Sequence, residues 1–387
     1  MAFILAYRQH VQGNFHKLKE RMAVERPQVA DPRPGGQEPV VLTRTRLMED
    51  AVPEFLSVTM LPGRGMNVLQ IRAYVPGKGE RDLMDSPSLA AASAQMTGKK
   101  ADVDGQASLA MGGAFSVPWA DRVWTANPET GHAAVTWQGR TVALPTGETI
   151  PAQGGLILAM PSSGSNTSTL PDGGQAEASF RGSGKGWFSK TDVQVTALLS
   201  SHTLDLTVTA HNTGDAAEPI GIGWMPRFAV RTAARRQIRM RIPGESRVER
   251  GERNGAPTGK LLPVSGTAFD FTARDGGKLS DRDMDECFAD LEQDVLENGP
   301  VAELDDAADG YRLRLTSLSP EIKAIRVVAP ANANFVMIGP QFNYPDPFGH
   351  EWTKSGGNGM VTLAPGQSVQ WKVRLEILPL NGNDGRP

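Results

Sequence analysis

Apolar and polar residues alternate along much of the chain. The alternation is clearest at residues 55–61 (FLSVTML), 67–75 (NVLQIRAYV) and 368–378 (SVQWKVRLEIL). Successive side chains of a β-strand point to opposite faces of the sheet, so a period of two predicts strands with one buried face. Shorter runs predict further strands at residues 260–264, 311–316, 322–328 and 335–338.

Two stretches of the sequence predict β-hairpins. Residues 191–215 carry alternating apolar positions and end in an Asn-Thr-Gly-Asp turn, and residues 132–145 predict two strands around a turn at Gln138 and Gly139. The chain has 42 glycines and 28 prolines, which favour many turns over long helices. Together these signals predict an all-β fold, a large sandwich of antiparallel strands.

The polar segments divide the chain. Residues 78–111, rich in Ala and Gly, and the run SGSNTST at 163–169 carry no alternation and are predicted to be loops. Residues 1–39 are an N-terminal appendage by composition, with a short amphipathic helix predicted at 15–26 and a Pro- and Gly-rich break after it. Residues 40–380 are predicted to form one domain, and 381–387 a C-terminal tail.

Charge and cysteine content narrow the class of protein. The net charge of −3 supplies no basic field for nucleic acid, and no apolar run is long enough to span a membrane. The first residues lack the basic region and cleavage pattern of a signal peptide. The single cysteine, Cys287, excludes an intramolecular disulfide and fits a reducing compartment. We therefore predict a cytoplasmic protein.

Motifs for cofactors are missing from the sequence. No dinucleotide-binding glycine motif follows a strand, no phosphate-binding loop of full spacing occurs, and the six histidines do not cluster with cysteines or acids at metal-ligand spacing. We expect no cofactor and no metal. Cys287 could be a nucleophile, but a small, half-buried residue is the favoured interpretation.

Several segments, in chain order, resemble the aldose 1-epimerase (galactose mutarotase) family. The resemblance runs from about residue 40 to 378, and its closest part is a strand, an Asn-Thr-Gly-Asp turn and a Gly-x-x-Pro-x-Phe strand. It implies a galactose mutarotase-like supersandwich whose open face binds a monosaccharide and interconverts its anomers. The segments are 55–72, 111–124, 139–145, 204–228, 284–291, 335–349 and 363–377.

Mutarotation needs one group that takes the proton of the anomeric hydroxyl and another that protonates the ring oxygen. The resemblance implies a Glu base, a His acid and a second His that holds the sugar. In this sequence the base position falls on Gly339, the acid position on Met225 and the position of the second His on Gln153. A thioether is only a weak acceptor and glycine has no side chain, so the usual acid and base are predicted to be missing.

Other family positions keep groups that suit a sugar. Arg122 falls on the sugar-contacting Arg and Asp285 on the sugar-binding Asp, although Arg122 could instead pair with Asp121, and Asp285 could instead cap a loop. The resemblance also points to Gln153 and Gln341 as hydrogen-bonding groups. Trp224 could stack on a sugar ring, or it could be an ordinary buried strand residue.

Substitutes for the missing acid and base could come from the PDPFGHEW stretch, where Asp346, His350 and Glu351 lie. Three hypotheses follow from these residues. The protein is an aldose 1-epimerase with relocated acid and base, or a catalytically silent sugar-binding protein on the same fold. The third hypothesis is a structural or accessory domain with no ligand, or a β-sandwich that acts on polysaccharide. The expected partner is an aldose, which could be phosphorylated.

Overall fold

The computed structural model describes residues 31–44, 52–99, 102–127, 130–144, 151–182, 186–354 and 357–380, and the described residues from Arg33 onward form one compact unit. The predicted helix at 15–26 and the predicted tail at 381–387 lie outside the described residues. The strands, in chain order, are β1 (Val40–Thr43), β2 (Glu54–Leu61), β3 (Asn67–Val75), β4 (Gly79–Asp82), β5 (Gly113–Ser116), β6 (Arg122–Val123), β7 (Ala134–Trp137), β8 (Arg140–Ala143), β9 (Ala152–Gln153), β10 (Gly164–Leu170), β11 (Gly173–Phe180), β12 (Thr191–Leu199), β13 (Thr203–Asn212), β14 (Glu218–Ile220), β15 (Gly223–Ala229), β16 (Ile238–Arg241), β17 (Gly244–Arg250), β18 (Pro257–Pro263), β19 (Gly277–Lys278), β20 (Met284–Leu291), β21 (Val301–Asp306), β22 (Tyr311–Ser317), β23 (Ala324–Ala329), β24 (Phe335–Gln341), β25 (Val361–Leu363) and β26 (Ser368–Pro379).

Two large antiparallel sheets form the molecule. The first runs β1-β2-β3-β5-β15-β24-β23-β20-β17-β18, with β4 paired to β3, and the second runs β10-β11-β12-β13-β26-β22-β21-β16-β19. Within the described residues the one α-helix is α1 (Leu89–Gln95). Short 3₁₀ turns lie at Pro34–Gly36, Pro62–Arg64, Gln106–Ala110, Leu156–Ala159, Thr232–Gln237 and His350–Lys354. The predicted all-β sandwich of antiparallel strands is confirmed.

The core lies between the two sheets and follows the alternation in the sequence. Every second residue of β13 is buried, and β26 shows the same pattern from Val369 to Ile377. The rings of Phe115 on the first sheet and Trp371 on the second meet edge to face, with centroids 6.1 Å apart. Burial of these apolar side chains is the main favourable term in folding.

The central strands of the first sheet are buried on both faces. In β24, Val336 and Ile338 enter the core, while Phe335 and Met337 point away from the second sheet and belong to a separate apolar cluster. We call this second side of the first sheet the outer face. It carries the residues discussed below.

Two loop predictions were wrong. The predicted loop at 163–169 falls largely on β10, an edge strand whose seven residues are all exposed. It has no buried face, so it has no apolar alternation to detect. The predicted loop at 78–111 contains β4 and α1, which begins with Ser88 as its N-cap. The hairpin predicted at 132–145 is confirmed as β7 and β8, with Gln138 and Gly139 at φ 47° and 77°, as a tight hairpin turn requires.

Candidate functional site

Arg122 and Asp285 meet at the outer face. Arg122 lies on β6 and Asp285 on β20, yet the guanidinium forks onto the carboxylate, with Nη1 2.8 Å from Oδ2 and Nη2 3.3 Å from Oδ1. Two parallel bonds between charged groups fix both the distance and the plane of the pair. The structure thus brings together two residues that lie 163 positions apart in the sequence.

Two further arginines contact the same carboxylate. Arg250 Nη1 lies 2.8 Å from Asp285 Oδ2 and 2.5 Å from the Asp285 carbonyl oxygen, and Arg326 Nη2 binds Asp285 Oδ1. Arg326 Nε lies 3.1 Å from Asp121 Oδ2, so Asp121 pairs with Arg326, not with Arg122. We call Asp121, Arg122, Arg250, Asp285 and Arg326 the arginine cluster.

The arginine cluster carries an excess of positive charge, since three guanidiniums face two carboxylates. The side chains of Arg326 and Asp121 are only 4% and 1% exposed. Burial lowers the pKa of Arg326 to about 10, with Asp121 opposing this shift and the other two arginines adding to it. A positive excess of this kind attracts anions, because the cluster is partly withdrawn from water and is therefore less fully screened than surface charge.

All members of the cluster except Asp285 line a narrow cleft. Its free volume of about 10 Å³ is close to that of a single water molecule. The other residues that line it are Trp124, Val248, Gly255, Pro257, Cys287 and Pro345. A sugar that enters this cleft has to take over hydrogen bonds that Arg122 and Arg250 now make to Asp285. In this structure the side chains of the site are therefore held in place by the ion pairs that they make with one another.

The three family positions lie next to the cluster. Gly223 pairs with Gln341 and Arg227 with Met337, a register that sets Met225 opposite Gly339, and Gly339 in turn pairs with Arg326. Gln153 pairs with Arg122 across β9 and β6. The structure brings these positions together, but their side chains offer no group that transfers protons near neutral pH.

Met225 and Gly339 are fitted to other roles. Met225 is 5% exposed and packs with Phe335 and Met337, with Leu109 against them. At Gly339, a Cβ atom would lie 2.6 Å from the carbonyl oxygen of Trp224 on the neighbouring strand, which is closer than real Cβ atoms come. At the position predicted for the acid the structure has apolar packing, and at the position predicted for the base two strands approach closely.

We expect Gly339→Glu to lower the free energy of unfolding by about 1–3 kcal/mol, because a side chain there must push β24 away from Trp224. The matched control is Gly164→Glu, since Gly164 has open space around its Cα on the exposed edge strand β10. Urea denaturation of both variants measures the difference. Equal stability of the two variants would show that β24 has room for a side chain.

Trp224 and Gln341 are both buried. Trp224 points into the core between the sheets, where Nε1 donates to the Gly113 carbonyl (3.1 Å) and the ring stacks on Phe115. Neighbouring residues of a strand face opposite ways, so Trp224 cannot stack on a sugar at the outer face that Met225 occupies. Gln341 is 1% exposed, and its amide donates to the Asn343 carbonyl (2.7 Å).

Asp346, one of the predicted substitutes for the acid and base, is hydrogen-bonded to the backbone of β6 and of Trp124. The Asp346 N–H donates to the Arg122 carbonyl (2.7 Å), and Asp346 Oδ1 accepts the Trp124 N–H (2.9 Å). Burial raises the pKa of Asp346 to about 7, and the adjacent Glu351, with which it shares a hydrogen bond, raises it too. Burial also raises the pKa of Glu351, whereas His350 is exposed.

We expect the free energy of unfolding to fall as the pH rises from about 4 to 7. Burial raises the pKa of Asp346 and of Glu218, which accepts a bond from Thr191, to about 7 in each case. Between pH 4 and pH 7 the folded protein therefore binds more protons than the unfolded chain. The stabilisation is fully present below about pH 4 and is lost as the pH rises to 7. The free energy of unfolding falls by up to about 1.4 kcal/mol per pH unit for each group.

Chemical denaturation across this pH range measures the slope. Asp346→Asn is expected to flatten it, because the amide cannot titrate. Asp281→Asn is the control, since the bond from Arg236 lowers the pKa of Asp281, away from the window. An unchanged slope in Asp346→Asn would contradict the assignment.

Cys287 lines the arginine cleft but is 1% exposed, and burial raises the pKa of its thiol well above the ordinary value. It therefore stays a neutral thiol. Within the described ranges, no group of three or more His, Cys, Asp and Glu side chains is arranged to hold a metal ion. No helix of the described residues is long and apolar enough to cross a membrane.

The chain is similar to known proteins in its sequence profile and in its fold. The profile of the aldose 1-epimerase family matches residues 98–376, which is well over half of the chain. The chain belongs to the aldose 1-epimerase family. Membership supports a mutarotase-like role in carbohydrate metabolism. None of the curated proteins matches the sequence.

Solved structures share the fold. A galactose mutarotase-like protein from Clostridium acetobutylicum superposes with a TM-score of 0.67 at 16% identity, covering 87% of this chain and 98% of that one. An aldose epimerase homologue from C. elegans gives 0.62 at 14% identity, covering 89% and 99%. Galactose 1-epimerase from Lactobacillus acidophilus gives 0.59 at 14% identity, covering 88% and 99%. At these identities the likeness establishes the galactose mutarotase-like fold alone.

Proposed function

We propose that this aldose 1-epimerase family member binds a monosaccharide at the arginine cluster. The observation that carries the proposal is the convergence of Arg122 and Asp285, which occupy family sugar-contacting positions, at one point of the outer face. A guanidinium donates to two neighbouring hydroxyls, and a carboxylate accepts from two, so the pair matches the rim of an aldose. Gln153, opposite Arg122, adds a further hydrogen-bonding group.

The charge of the cluster favours an anionic sugar, such as a phosphorylated aldose. Three guanidiniums share two carboxylates, and Arg122 and Arg250 are 21% and 28% exposed at their side chains, so both can turn toward a ligand. A phosphate or carboxylate on the sugar would take up the unmatched positive charge and replace Asp285 as a partner.

We expect Arg122→Ala to weaken sugar binding about tenfold or more, because hydrogen bonds from a charged group are worth about 1.5–3 kcal/mol. Calorimetric titration with D-glucose, D-galactose and their 6-phosphates measures the affinity. Arg236→Ala is the control, since Arg236 is 79% exposed and pairs only with Asp281. The proposal is wrong if no aldose binds, or if both variants bind like the parent protein.

A second candidate function is anomer interconversion with a relocated acid-base group. Asp346 favours it, because its pKa of about 7 suits proton transfer near neutral pH and its backbone is bonded to that of Arg122. Asp346 is 4% exposed, so the PDPFGHEW segment has to move before this carboxyl can meet a sugar. Silent binding requires no such movement, and we therefore place it first.

A further inference from the structure

A second cleft lies between the β7–β8 hairpin and residues 347–353 and 357–358. Its volume is about 490 Å³, within the range of ~300–1,000 Å³ that is typical of small-molecule sites. It shares no lining residue with the arginine cleft. The two clefts are adjacent along the chain, because Trp124 lines the first and Thr125 the second.

Two half-buried aromatic rings form the wall of this second cleft. Trp137 meets Phe188 edge to face, with centroids 5.6 Å apart, and Phe348 meets Trp187 in the same way at 5.7 Å. Trp187 stacks in turn on Trp119 at 5.5 Å. The buried sides of Trp137 and Phe348 therefore rest on an aromatic layer, and their other sides line the cleft.

The hairpin that carries Trp137 is tied to this layer. Arg140 donates from Nη1 to the Phe188 carbonyl (2.8 Å) and from Nη2 to the Trp187 carbonyl (3.1 Å). A wall that is held before a ligand arrives costs little ordering entropy on binding. This distinguishes Trp137 from an isolated surface tryptophan.

The rest of the described lining mixes small apolar and neutral polar residues with the buried Trp352. Thr136 and His350 are exposed and line the cleft, and Asn358 lies beside them. Among the described residues, no Asp, Glu, Lys or Arg lines it. An anion or a cation would find no counter-charge here, in contrast to the arginine cluster.

We propose that this cleft is a second carbohydrate site, which takes a neutral sugar ring. The apolar C–H face of a pyranose fits against the indole of Trp137, while its hydroxyls can bond to the Thr136 hydroxyl and the His350 imidazole. Chemistry of this kind, one flat apolar wall and a neutral polar rim, matches a sugar better than it matches a purely apolar ligand. The proposal stands independently of the function proposed for the arginine cluster.

The test uses the full chain and a panel of neutral disaccharides: maltose, cellobiose and lactose. Calorimetry and tryptophan fluorescence measure binding. We expect at least one of them to bind saturably, Trp137→Ala to weaken that binding about tenfold or more, and His350→Ala to weaken it a few-fold. Phe269→Ala is the matched control, because Phe269 is a half-buried aromatic residue that lines neither cleft, and it should leave binding unchanged.

Three outcomes would overturn the proposal. The first is the lack of saturable binding by any of the disaccharides up to their solubility limits. The second is binding that Trp137→Ala and His350→Ala leave intact, or that Arg122→Ala removes, because the sugar then occupies another place. The third is tighter binding of free indole at this cleft than of the sugars. If Trp137→Ala does not fold, Trp137→Phe, which keeps the hairpin packing but narrows the stacking surface, decides together with His350→Ala.

Discussion

The interconversion of α- and β-D-glucose is expected to run at its spontaneous rate in the presence of this protein. A positioned acid or base contributes about 10²–10⁴-fold to such a reaction. The family resemblance assigns the acid, the base and the second His to Met225, Gly339 and Gln153, and none of these three residues can supply that factor. Polarimetry on freshly dissolved α-D-glucose, α-D-galactose and α-D-glucose 6-phosphate, with and without protein, measures the rate.

Acceleration of the reaction would contradict this expectation, and two variants would then locate the cause. A rate that Arg122→Ala abolishes would place the chemistry at the arginine cluster. A rate that Asp346→Asn abolishes, and that in the parent protein changes through about pH 7, would establish the second candidate function. An acceleration that neither variant alters would point to a contaminating enzyme.

The second large effect concerns stability. We expect Asp285→Asn to lower the free energy of unfolding by about 2–4 kcal/mol, since removing one partner from a buried ion pair costs about 3–5 kcal/mol and Asp285 is 32% exposed. The variant leaves Arg122, Arg250 and Arg326 with Asp121 as their only carboxylate in the cluster. Urea denaturation at neutral pH measures the loss.

The matched control for that measurement is Asp281→Asn. Asp281 also pairs with an arginine, but it is 65% exposed and its partner Arg236 is 79% exposed, so water screens the pair and its loss is expected to change stability far less. Equal effects of the two substitutions would mean that water screens the arginine cluster as fully as it screens the surface. A rise in affinity for phosphate in Asp285→Asn would support the anionic ligand.

The fold was predictable because its signal is local. Alternation along single strands such as β13 and β26 is enough to predict a sandwich. The Asn-Thr-Gly-Asp turn predicts where β13 ends, and the Gln-Gly turn predicts where β7 reverses into β8. β10 escaped detection because all seven of its residues are exposed. β10 is held in the sheet by backbone hydrogen bonds to β11, and its side-chain sequence gives no sign of that pairing.

The site was only partly predictable because it depends on which strands are neighbours. Arg122 and Asp285 came from the family resemblance, but Arg250 and Arg326 were missed. The sequence did contain one signal for Arg326, a charged residue inside the apolar run AIRVVA, which is costly unless it is paired. The exclusion of Trp224 from the outer face needed only the alternation itself, once Met225 was assigned to that face.

The contact between Gly339 and the Trp224 carbonyl has a consequence for protein engineering. A single change of Gly339 to Glu is not expected to supply a base on this scaffold, because β15 already occupies the space that the side chain needs. A carboxylate at this position therefore requires additional substitutions that separate the two strands. An engineer who seeks epimerase activity on this scaffold should accordingly begin with the backbone spacing and add the acid and base last.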